Sequence, residues 1–273
     1  MMETIKLKSG YRMPVIGFGT WRLKGEECFK AVSTALSIGY THIDTAAVYG
    51  NEKEVGKAIK DLNRSKLFIT SKVFYFNLKH DDVVKSCEQT LNDLETDYVD
   101  LYLMHWPNKN IPLKETMAAM QELAEQGKIR SFGVSNFTVA HLKEAISIGN
   151  IPVCVNQIEY HPYLGQEDVL EFCRQNSIVV EAFCPNAQGK VIDDPVLQRI
   201  GRTYKRTAAQ VSQKWLLQKG MVVLPKSRSE KHMKENLDMF GWELSEEDMK
   251  RIGSLNRNER MCLPDFAEFD RKG

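Results

Sequence analysis

Four residues whose side chains can take part in proton transfer stand at or just beyond the ends of strand-like segments. Asp44, Lys72 and His105 each follow a short run of residues typical of strands, and Tyr49 comes five residues after Asp44. An acid, a phenol, an ammonium group and an imidazole at converging strand ends can form a site that donates a proton. The set holds neither an activated nucleophile nor a group of metal ligands, so it suits the reduction of a carbonyl group by an external hydride.

Tyr49 is the expected proton donor, and Lys72 is expected to make it a stronger acid. A free phenol has a pKa near ~10, too high to release its proton readily at neutral pH. An ammonium group at about 4 Å and an effective dielectric constant of about 20 favours the phenolate by about 4 kcal/mol, enough to lower that pKa to about 7. Asp44 would keep Lys72 charged and oriented, and His105 would orient or polarise the carbonyl oxygen.

Each of these residues also has an ordinary structural explanation. A lone tyrosine usually packs in a core, a lone lysine at a strand end is usually a solvated charge, and His105 alone fits a hydrogen-bonded core histidine. Their joint occurrence on three neighbouring strand ends favours the catalytic interpretation, provided that these strands converge.

A second arrangement of the same tyrosine can be rejected. Tyr49 and Lys53 have the Y-x-x-x-K spacing of the catalytic pair in short-chain dehydrogenases. That pair requires both residues on one face of a helix. Here Gly50 interrupts the segment and Asn51 is expected to cap a helix that begins at Glu52, so Lys53 would face solvent.

Strand-like and helix-like segments alternate along the chain. Eight short runs rich in Val, Ile, Leu or Phe are typical of buried parallel strands. They cover residues 15–20, 41–44, 67–71, 98–105, 129–134, 153–158, 178–183 and 221–224. Amphipathic helices are predicted at 26–38, 52–62, 82–94, 113–126, 139–148, 167–176, 208–218 and 246–255. Thr207 with Gln210 and Ser245 with Asp248 have the spacing of capping boxes at helix starts.

This alternation, without a linker or a change of composition, predicts a single domain over residues 1–273 with the α/β architecture of a (β/α)8 TIM barrel. A doubly wound sheet is the other candidate, but Gly17 and Gly19 lack the third glycine of a dinucleotide-binding loop. The first residues predict a β-hairpin around Ser9 and Gly10 that plugs the bottom of the barrel. In such a barrel the carboxyl ends of the strands share one rim, where the catalytic residues would meet.

The composition is that of an ordinary globular chain. The 273 residues, 42% hydrophobic and 27% charged, suit one large α/β domain. A net charge of +1 gives no general attraction to nucleic acid or to an anionic membrane. Residues 1–10 lack the apolar core of a signal peptide, and six scattered cysteines without a C-x-x-C pair suit free thiols in a reducing compartment. We therefore expect a cytoplasmic protein without a membrane segment or a bound metal.

Nine motifs in the same order resemble the aldo-keto reductase family, especially its short members of the diketogluconate reductase and prostaglandin F synthase-like types. They are Gly17-Phe18-Gly19-Thr20-Trp21, His42-Ile43-Asp44-Thr45-Ala46 with Tyr49-Gly50-Asn51-Glu52, Ser71-Lys72, His105-Trp106-Pro107, Gly133-Val134-Ser135-Asn136-Phe137, Asn156-Gln157-Ile158-Glu159-Tyr160-His161-Pro162, Ala187-Gln188-Gly189-Lys190, Pro225-Lys226-Ser227 and Leu255-Asn256-Arg257-Asn258. The resemblance implies Asp44, Tyr49, Lys72 and His105 as a catalytic tetrad in a monomeric carbonyl reductase.

The resemblance also implies a nicotinamide cofactor across the strand ends, NADPH rather than the more weakly bound NADH. Ser135, Asn136 and Gln157 would hold the carboxamide, and Phe183 would stack on the nicotinamide ring unless it merely packs in the core. The full set of implied cofactor contacts is Thr20, Trp21, Asp44, Ser135, Asn136, Gln157, Phe183, Pro185, Lys226, Ser227, Arg228, His232, Glu235 and Asn236.

Residues after the last predicted strand are expected to bind phosphate, as is common in barrel enzymes. Lys226 and Arg228 favour the 2′-phosphate of NADPH, although both also fit solvated loop cations. Ser229 is expected to cap a helix whose N-terminal amides add to the anion site. His232 stands where the family usually has an arginine, so NADPH is expected to bind less tightly than in relatives with that arginine.

The substrate would meet an aromatic pocket formed by Trp21, Tyr49, Phe74, His105 and Trp106. Phe74 replaces the tryptophan common in the family, and Asn186 replaces a leucine. The short tail from residue 261 to residue 273 would cover the pocket with Leu263, Pro264, Phe266 and Phe269. Its shortness predicts broad specificity toward aldehydes, α-dicarbonyls or keto sugars.

Two other functions are open to such a chain. One is a cofactor-binding sensor or partner subunit with little turnover, against which the complete tetrad counts. The other is a metal-dependent barrel hydrolase that uses His105 and His161 with nearby acids. The absence of an H-x-H or similar ligand cluster from the sequence counts against the hydrolase.

Overall fold

A computed structural model of the protein describes residues 3–269. Its strands are β1 (Thr4–Lys6), β2 (Arg12–Pro14), β3 (Phe18–Gly19), β4 (His42–Asp44), β5 (Phe68–Val73), β6 (Leu101–Met104), β7 (Phe132–Ser135), β8 (Val153–Glu159), β9 (Val179–Phe183) and β10 (Val222–Leu224). Its α-helices are α1 (Gly25–Ser37), α2 (Glu52–Ile59), α3 (His80–Leu94), α4 (Leu113–Glu125), α5 (Val139–Ile148), α6 (Glu167–Gln175), α7 (Pro195–Tyr204), α8 (Ala208–Gln218), α9 (Glu230–Leu237) and α10 (Glu246–Gly253). Residues 1–2 and 270–273 of the expected domain lie outside the described residues.

The strands β3 to β10 form one parallel sheet in which each strand pairs with its neighbour in the chain. Backbone hydrogen bonds join the two ends of this sheet, from Gly17 N to Val223 O at 2.9 Å and from Gly19 N to Pro225 O at 3.1 Å. The sheet therefore closes into the expected (β/α)8 barrel, and the doubly wound alternative is wrong.

The predicted hairpin is also present and covers the N-terminal end of the barrel. β1 and β2 pair in antiparallel register, and Gly10 adopts φ +91° in the connecting turn. Leu7 and Met13 are buried in one cluster with residues of the barrel strands. The Oγ atoms of Ser9 and Ser131 lie 2.7 Å apart, just before β7 begins. These contacts fix the hairpin across the bottom, away from the carboxyl ends of the strands.

The barrel strands are apolar runs in the sequence because they are buried on both faces. β5 is buried along its whole length, as a strand covered by a helix outside and by side chains inside must be. Each fully buried Val, Leu, Ile or Phe contributes roughly 1.5–3 kcal/mol to folding by leaving water. A polar residue at the end of such a strand is therefore held by a stable scaffold.

Two helices differ from the sequence expectations. α7 was not predicted, although the Asp194 side chain accepts hydrogen bonds from Val196 N and Leu197 N and Pro195 follows it, a recognisable helix start. α9 begins after Ser229 as expected, but the Ser229 side chain makes no capping hydrogen bond. Among the helices of residues 3–269, none has the length and hydropathy that a membrane crossing requires.

Asn51 occupies the expected N-cap position of α2, but its side chain has a different role from a helix cap and makes no capping bond there. Instead it accepts a hydrogen bond from Thr45 Oγ1 at 2.7 Å and donates to the carbonyl oxygens of Thr20 and Leu23. Asn51 thus ties the loops after β3 and β4 together. Lys53, by contrast, is exposed as expected.

Candidate active site

Three neighbouring strands bring Asp44, Lys72 and His105 to one rim. Asp44 ends β4, Lys72 is the last residue but one of β5, and His105 follows β6 directly. The Lys72 ammonium is fully buried and donates to Asp44 Oδ1 at 2.7 Å and to the carbonyl oxygen of Thr45 at 2.7 Å. The acid therefore compensates a lysine charge that could not otherwise be buried at this depth.

Tyr49 is held over this pair by a short turn. It ends a 3-10 helix of residues Ala47–Tyr49, which Gly50 terminates with φ +62°. The centre of the Tyr49 ring lies 5.0 Å from Lys72 Nζ and 5.8 Å from the centre of the His105 ring. The structure thus brings all four residues of the predicted tetrad together.

The electrostatics of Tyr49 differ from the sequence expectation. Burial raises the pKa of the phenol to about 12, because the charged form loses water. Lys72 lowers that pKa, as expected, but by less than burial raises it. Tyr49 is therefore protonated at neutral pH, and the net lowering expected from the sequence is not found.

The pKa values of Lys72 and His105 are shifted in opposite directions. Burial opposes the charge of Lys72, but Asp44 and Tyr49 outweigh it, so the lysine pKa is raised and the ammonium form persists. Burial, with a further contribution from Lys72, holds the pKa of His105 well below its ordinary value. His105 is therefore a neutral imidazole, able to donate an N–H hydrogen bond without supplying a charge.

Asn136 presents an unused acceptor to the site. It follows β7 with φ +63°, a left-handed conformation that asparagine tolerates. Its Nδ2 donates to the carbonyl oxygen of His105 and to Ser135 Oγ, each at 3.0 Å. Its Oδ1 is buried with no partner among the described residues. A buried unpaired oxygen at a cavity wall calls for a donor from a ligand, and the amide of a nicotinamide carboxamide is such a donor.

Gln157 reaches across the barrel interior from β8. Its Nε2 donates to Asp44 Oδ2 at 2.8 Å and to Glu181 Oε2 at 2.6 Å. Both hydrogen bonds that its side chain makes in residues 3–269 thus use the NH2 group. The amide oxygen is left for a ligand, which fits the carboxamide role expected for Gln157.

These residues surround a cavity of about 850 Å³ at the carboxyl ends of the strands. The predicted site residues that line it are Trp21, Asp44, Tyr49, Phe74, His105, Trp106, Asn136, Gln157, Phe183, Pro185, Lys226, Ser227, His232, Glu235 and Asn236. Thr20, Lys72, Ser135 and Arg228 do not line it. Thr20 Oγ1 donates to the carbonyl oxygen of Asp44, Ser135 Oγ donates to that of Gln157, and Arg228 forms an ion pair with Glu27 at 2.6 Å.

The segment after β10, which is expected to bind phosphate, forms part of the cavity wall. Lys226 lines the cavity, and burial together with the charge of Arg228 lowers its pKa. Ser227 Oγ accepts from Ser229 N at 3.0 Å and donates to Ser229 O at 3.1 Å, which folds the loop toward α9. His232 is exposed on α9 at the edge of the same cavity.

The C-terminal tail forms one wall of the cavity, as expected. The Phe266 ring lies 6.0 Å from that of Phe74, 5.6 Å from that of Trp106 and 4.5 Å, stacked, from that of Tyr75. Leu263 and Pro264 line the cavity as well, and Phe269 packs on Trp106 with 5.7 Å between ring centres.

Two acids that received no role from the sequence matter here. The buried Glu159 carboxylate accepts hydrogen bonds from Met261 N at 2.5 Å and Cys262 N at 2.9 Å, which anchors the tail. His161 also lies 2.9 Å from Glu159 and is structural, as expected. Glu181 contacts Gln157 inside the barrel. The sequence signal for Glu181 is an acid inside the apolar run 178–183.

Within residues 3–269 no cluster of three His, Cys, Asp or Glu side chains is placed to hold a metal ion.

Comparison with known proteins identifies the family. The sequence profile described as Aldo/keto reductase family matches residues 15–257. The chain is 42% identical over 264 residues to the glyoxal reductase of Bacillus subtilis (strain 168), an alignment that covers 96% of this chain and 95% of that protein. Among solved structures, a putative 2,5-diketo-D-gluconic acid reductase B superposes with a TM-score of 0.95 at 39% identity, covering 99% of this chain and 98% of the other.

A second structure is that of MGS-M4, an aldo-keto reductase enzyme from a Medee basin deep-sea metagenome library. It superposes with a TM-score of 0.93 at 36% identity and covers 97% of this chain and 99% of its own. The match of the profile and the high coverage in both directions mean that the similarity extends over the barrel and its rim. The protein is therefore an oxidoreductase that belongs to the aldo/keto reductase family.

Proposed function

We propose that the protein reduces aldehyde or ketone carbonyl groups to alcohols with NADPH as the hydride donor. The observation that carries this proposal is the position of the Tyr49 ring, 5.0 Å from a buried Lys72 ammonium at the wall of a large cavity. A phenol beside a fixed positive charge can give up its proton as negative charge develops on a carbonyl oxygen. Carbonyl reduction is also what the family and the reductase relatives support.

Each member of the tetrad has a distinct task in this proposal. The nicotinamide, when bound, supplies the hydride to the carbonyl carbon. Tyr49 donates a proton to the carbonyl oxygen, and the charge of Lys72 stabilises the phenolate that forms. Asp44 holds Lys72 in place through the 2.7 Å contact. The neutral His105 orients the carbonyl oxygen through a ring N–H.

The cofactor contacts are proposed from the free amide oxygens of Asn136 and Gln157 and from the similarity to the family. Asn136 Oδ1 and the Gln157 amide oxygen would bind the carboxamide, supported by Ser135, and Phe183 would stack on the ring. Lys226, Ser227 and Arg228 would bind phosphate, and the charges of Lys226 and Arg228 favour NADPH over NADH. The other proposed cofactor residues are Thr20, Trp21, Asp44, Pro185, His232, Glu235 and Asn236.

The substrate pocket is proposed to take small or moderately apolar carbonyl compounds. Trp21, Tyr49, Phe74, His105 and Trp106 surround the place where the carbonyl would lie, and the tail adds apolar side chains. The similarity to a glyoxal reductase supports α-dicarbonyl compounds as substrates. The expected single domain over 1–273, the monomeric state and the cytoplasmic location stay predictions.

The test is NADPH oxidation, followed by absorbance, with a panel of simple aldehydes, α-dicarbonyls and keto sugars, and with NADH in parallel. The proposal predicts turnover with several carbonyl compounds and a lower KM for NADPH than for NADH. Tight NADPH binding with negligible turnover across the panel would instead support a cofactor-binding sensor. Metal analysis of the purified protein is the separate test of the hydrolase alternative, which a stoichiometric bound metal would support.

A further inference from the structure

A second carboxyl group lies inside the barrel beneath the tetrad. Glu181, on β9, has no exposed surface and aligns with Gln157 in the pairing of β8 with β9. Its Oε2 accepts a hydrogen bond from Gln157 Nε2 at 2.6 Å, shorter than the 2.8 Å bond from the same nitrogen to Asp44 Oδ2. Glu181 is thus one of two acceptors that the Gln157 NH2 group contacts.

The charged and titratable groups that face Glu181 come from β4 and β5. The ammonium of Lys72 is already compensated by Asp44 at 2.7 Å. Nε2 of His42 lies 3.7 Å from Glu181 Oε1 and 3.1 Å from Thr70 Oγ1, and burial lowers the pKa of His42 to about 3. An ionised Glu181 would therefore be a second negative charge without a cation of its own. Burial, with a further contribution from Asp44, raises its pKa to about 8.

The two acceptors determine which way the Gln157 amide points. An amide group has two N–H donors on one side and an oxygen on the other. The Asp44 carboxylate and the unprotonated oxygen of a neutral Glu181 both lie on the NH2 side, so a half-turn of the amide would place its oxygen against two acceptors. This arrangement excludes the flipped amide and keeps the oxygen available to a ligand.

We propose that Glu181 is a positioning residue for the cofactor, fixing the Gln157 amide so that its oxygen faces the nicotinamide carboxamide. The proposal rests on the proposed function, because it assumes that a nicotinamide occupies the cavity. Glu181 does not line the cavity, so it acts through Gln157. A neutral Glu181 carboxyl group accepts from Gln157 without placing an uncompensated charge beneath the site.

Cofactor binding without substrate tests this proposal, with Trp21 and Trp106 at the cavity wall as fluorescence reporters. Glu181→Leu removes the acceptor at similar volume, and Glu181→Gln keeps a side-chain oxygen that accepts from Gln157. Val180→Ala is the matched control, because it truncates a buried neighbour on β9 that makes no side-chain hydrogen bond to Gln157. Loss of one oriented hydrogen bond predicts about tenfold weaker NADPH binding by the leucine variant at pH 7. The glutamine variant is expected to bind nearly as the parent does.

Replacing a residue that only maintains the fold would not alter how NADPH binding depends on pH. The pH profile therefore separates a structural role from the proposed one. The parent's NADPH affinity is expected to change as pH rises through about 8, where Glu181 ionises, and Glu181→Gln is expected to lose that change. Cys262 has a lowered pKa and also lines the cavity, so Cys262→Ser is measured to separate its titration. Leucine-variant binding equal to that of Val180→Ala, or an unchanged pH profile in Glu181→Gln, would overturn the proposal. Failure of the parent itself to bind NADPH would instead refute the proposed function.

Discussion

Lys72 Nζ lies 2.7 Å from Asp44 Oδ1 with neither side chain exposed beyond a few per cent. This contact joins β5 to β4 and fixes the position of the positive charge at 5.0 Å from the Tyr49 ring centre. A buried ion pair contributes little to net stability, but the loss of one partner leaves an uncompensated charge in a medium of low polarity. The ion pair therefore affects both the stability of the fold at the ends of β4 and β5 and the position of the charge used in the proposed proton transfer.

Removal of the ammonium group tests this link. Lys72→Met keeps the apolar length of the side chain but, among residues 3–269, leaves the Asp44 carboxylate with the hydrogen bond from Gln157 alone. We expect the free energy of unfolding to fall by about 3 kcal/mol and carbonyl turnover to be lost. Urea unfolding measures the first effect. Lys53→Met, at an exposed lysine, is the control and should change stability by less than about 0.5 kcal/mol. Equal stability of the two variants would mean that the buried pair carries no such penalty.

The raised pKa of Glu181 predicts a stability that depends on pH. The folded-state pKa of about 8 lies above the ordinary value of 4.5, so the folded protein keeps a proton that the unfolded chain loses. This contribution is fully present below the ordinary value and is lost progressively as pH rises toward 8. Melting temperatures between pH 5 and 9 should therefore fall more steeply for the parent than for Glu181→Gln. Parallel profiles of the two proteins would contradict the assignment of a buried neutral acid.

Phe266 should control the fit of small substrates. Its ring packs against Phe74, Tyr75 and Trp106, and its truncation to alanine would open the wall formed by the tail. We expect Phe266→Ala to lower kcat/KM for small aldehydes roughly tenfold, the effect of losing about 1.4 kcal/mol of apolar contact, while NADPH binding is unchanged. Phe76→Ala, at a phenylalanine that is 69% exposed, is the matched control and should have little effect. Equal kinetics for both variants would show that the tail does not shape the pocket.

His232 offers a gain-of-affinity test of the phosphate site. An arginine at this exposed position on α9 would present a permanent charge and a bidentate donor to the 2′-phosphate. His232→Arg is therefore expected to lower the dissociation constant of NADPH about tenfold, with a steeper dependence on salt and no change for NADH. Lys231→Arg, one residue earlier on the same helix, controls for the general effect of an arginine. A gain shared by NADH would mean that the charge does not act on the 2′-phosphate.

The barrel could be predicted from the sequence because its strands are buried on both faces and stand out as apolar runs. Asp44, Lys72 and His105 could be selected as candidates because each is a charged or titratable residue at the end of such a run, on the rim where barrel enzymes carry their sites. Helix α7 is absent from the predicted helices although the sequence carries a local signal for its start. That signal is the capping residue Asp194 followed by Pro195.

Features that depend on contacts between distant segments could not be predicted. The pKa of Tyr49 depends on how deeply the phenol is buried, and burial outweighs Lys72. Asn51 has the position of a local helix cap, whereas its side chain bonds to Thr20 and Leu23 in the loop after β3 and to Thr45 at the start of its own loop. The contact between Gln157 and Glu181 follows from the register of β8 and β9, which no single strand reveals.

The measurement that tests the central claim most directly compares Tyr49→Phe with the parent in two assays, NADPH binding and NADPH oxidation with an accepted carbonyl substrate. The substitution removes only the hydroxyl group, so the ring contacts with Lys72 and His105 can persist. The account predicts an NADPH dissociation constant within about twofold of the parent value, with turnover reduced by roughly a hundredfold or more. Turnover close to that of the parent would show that Tyr49 is not the proton donor, and the proposed mechanism would be wrong.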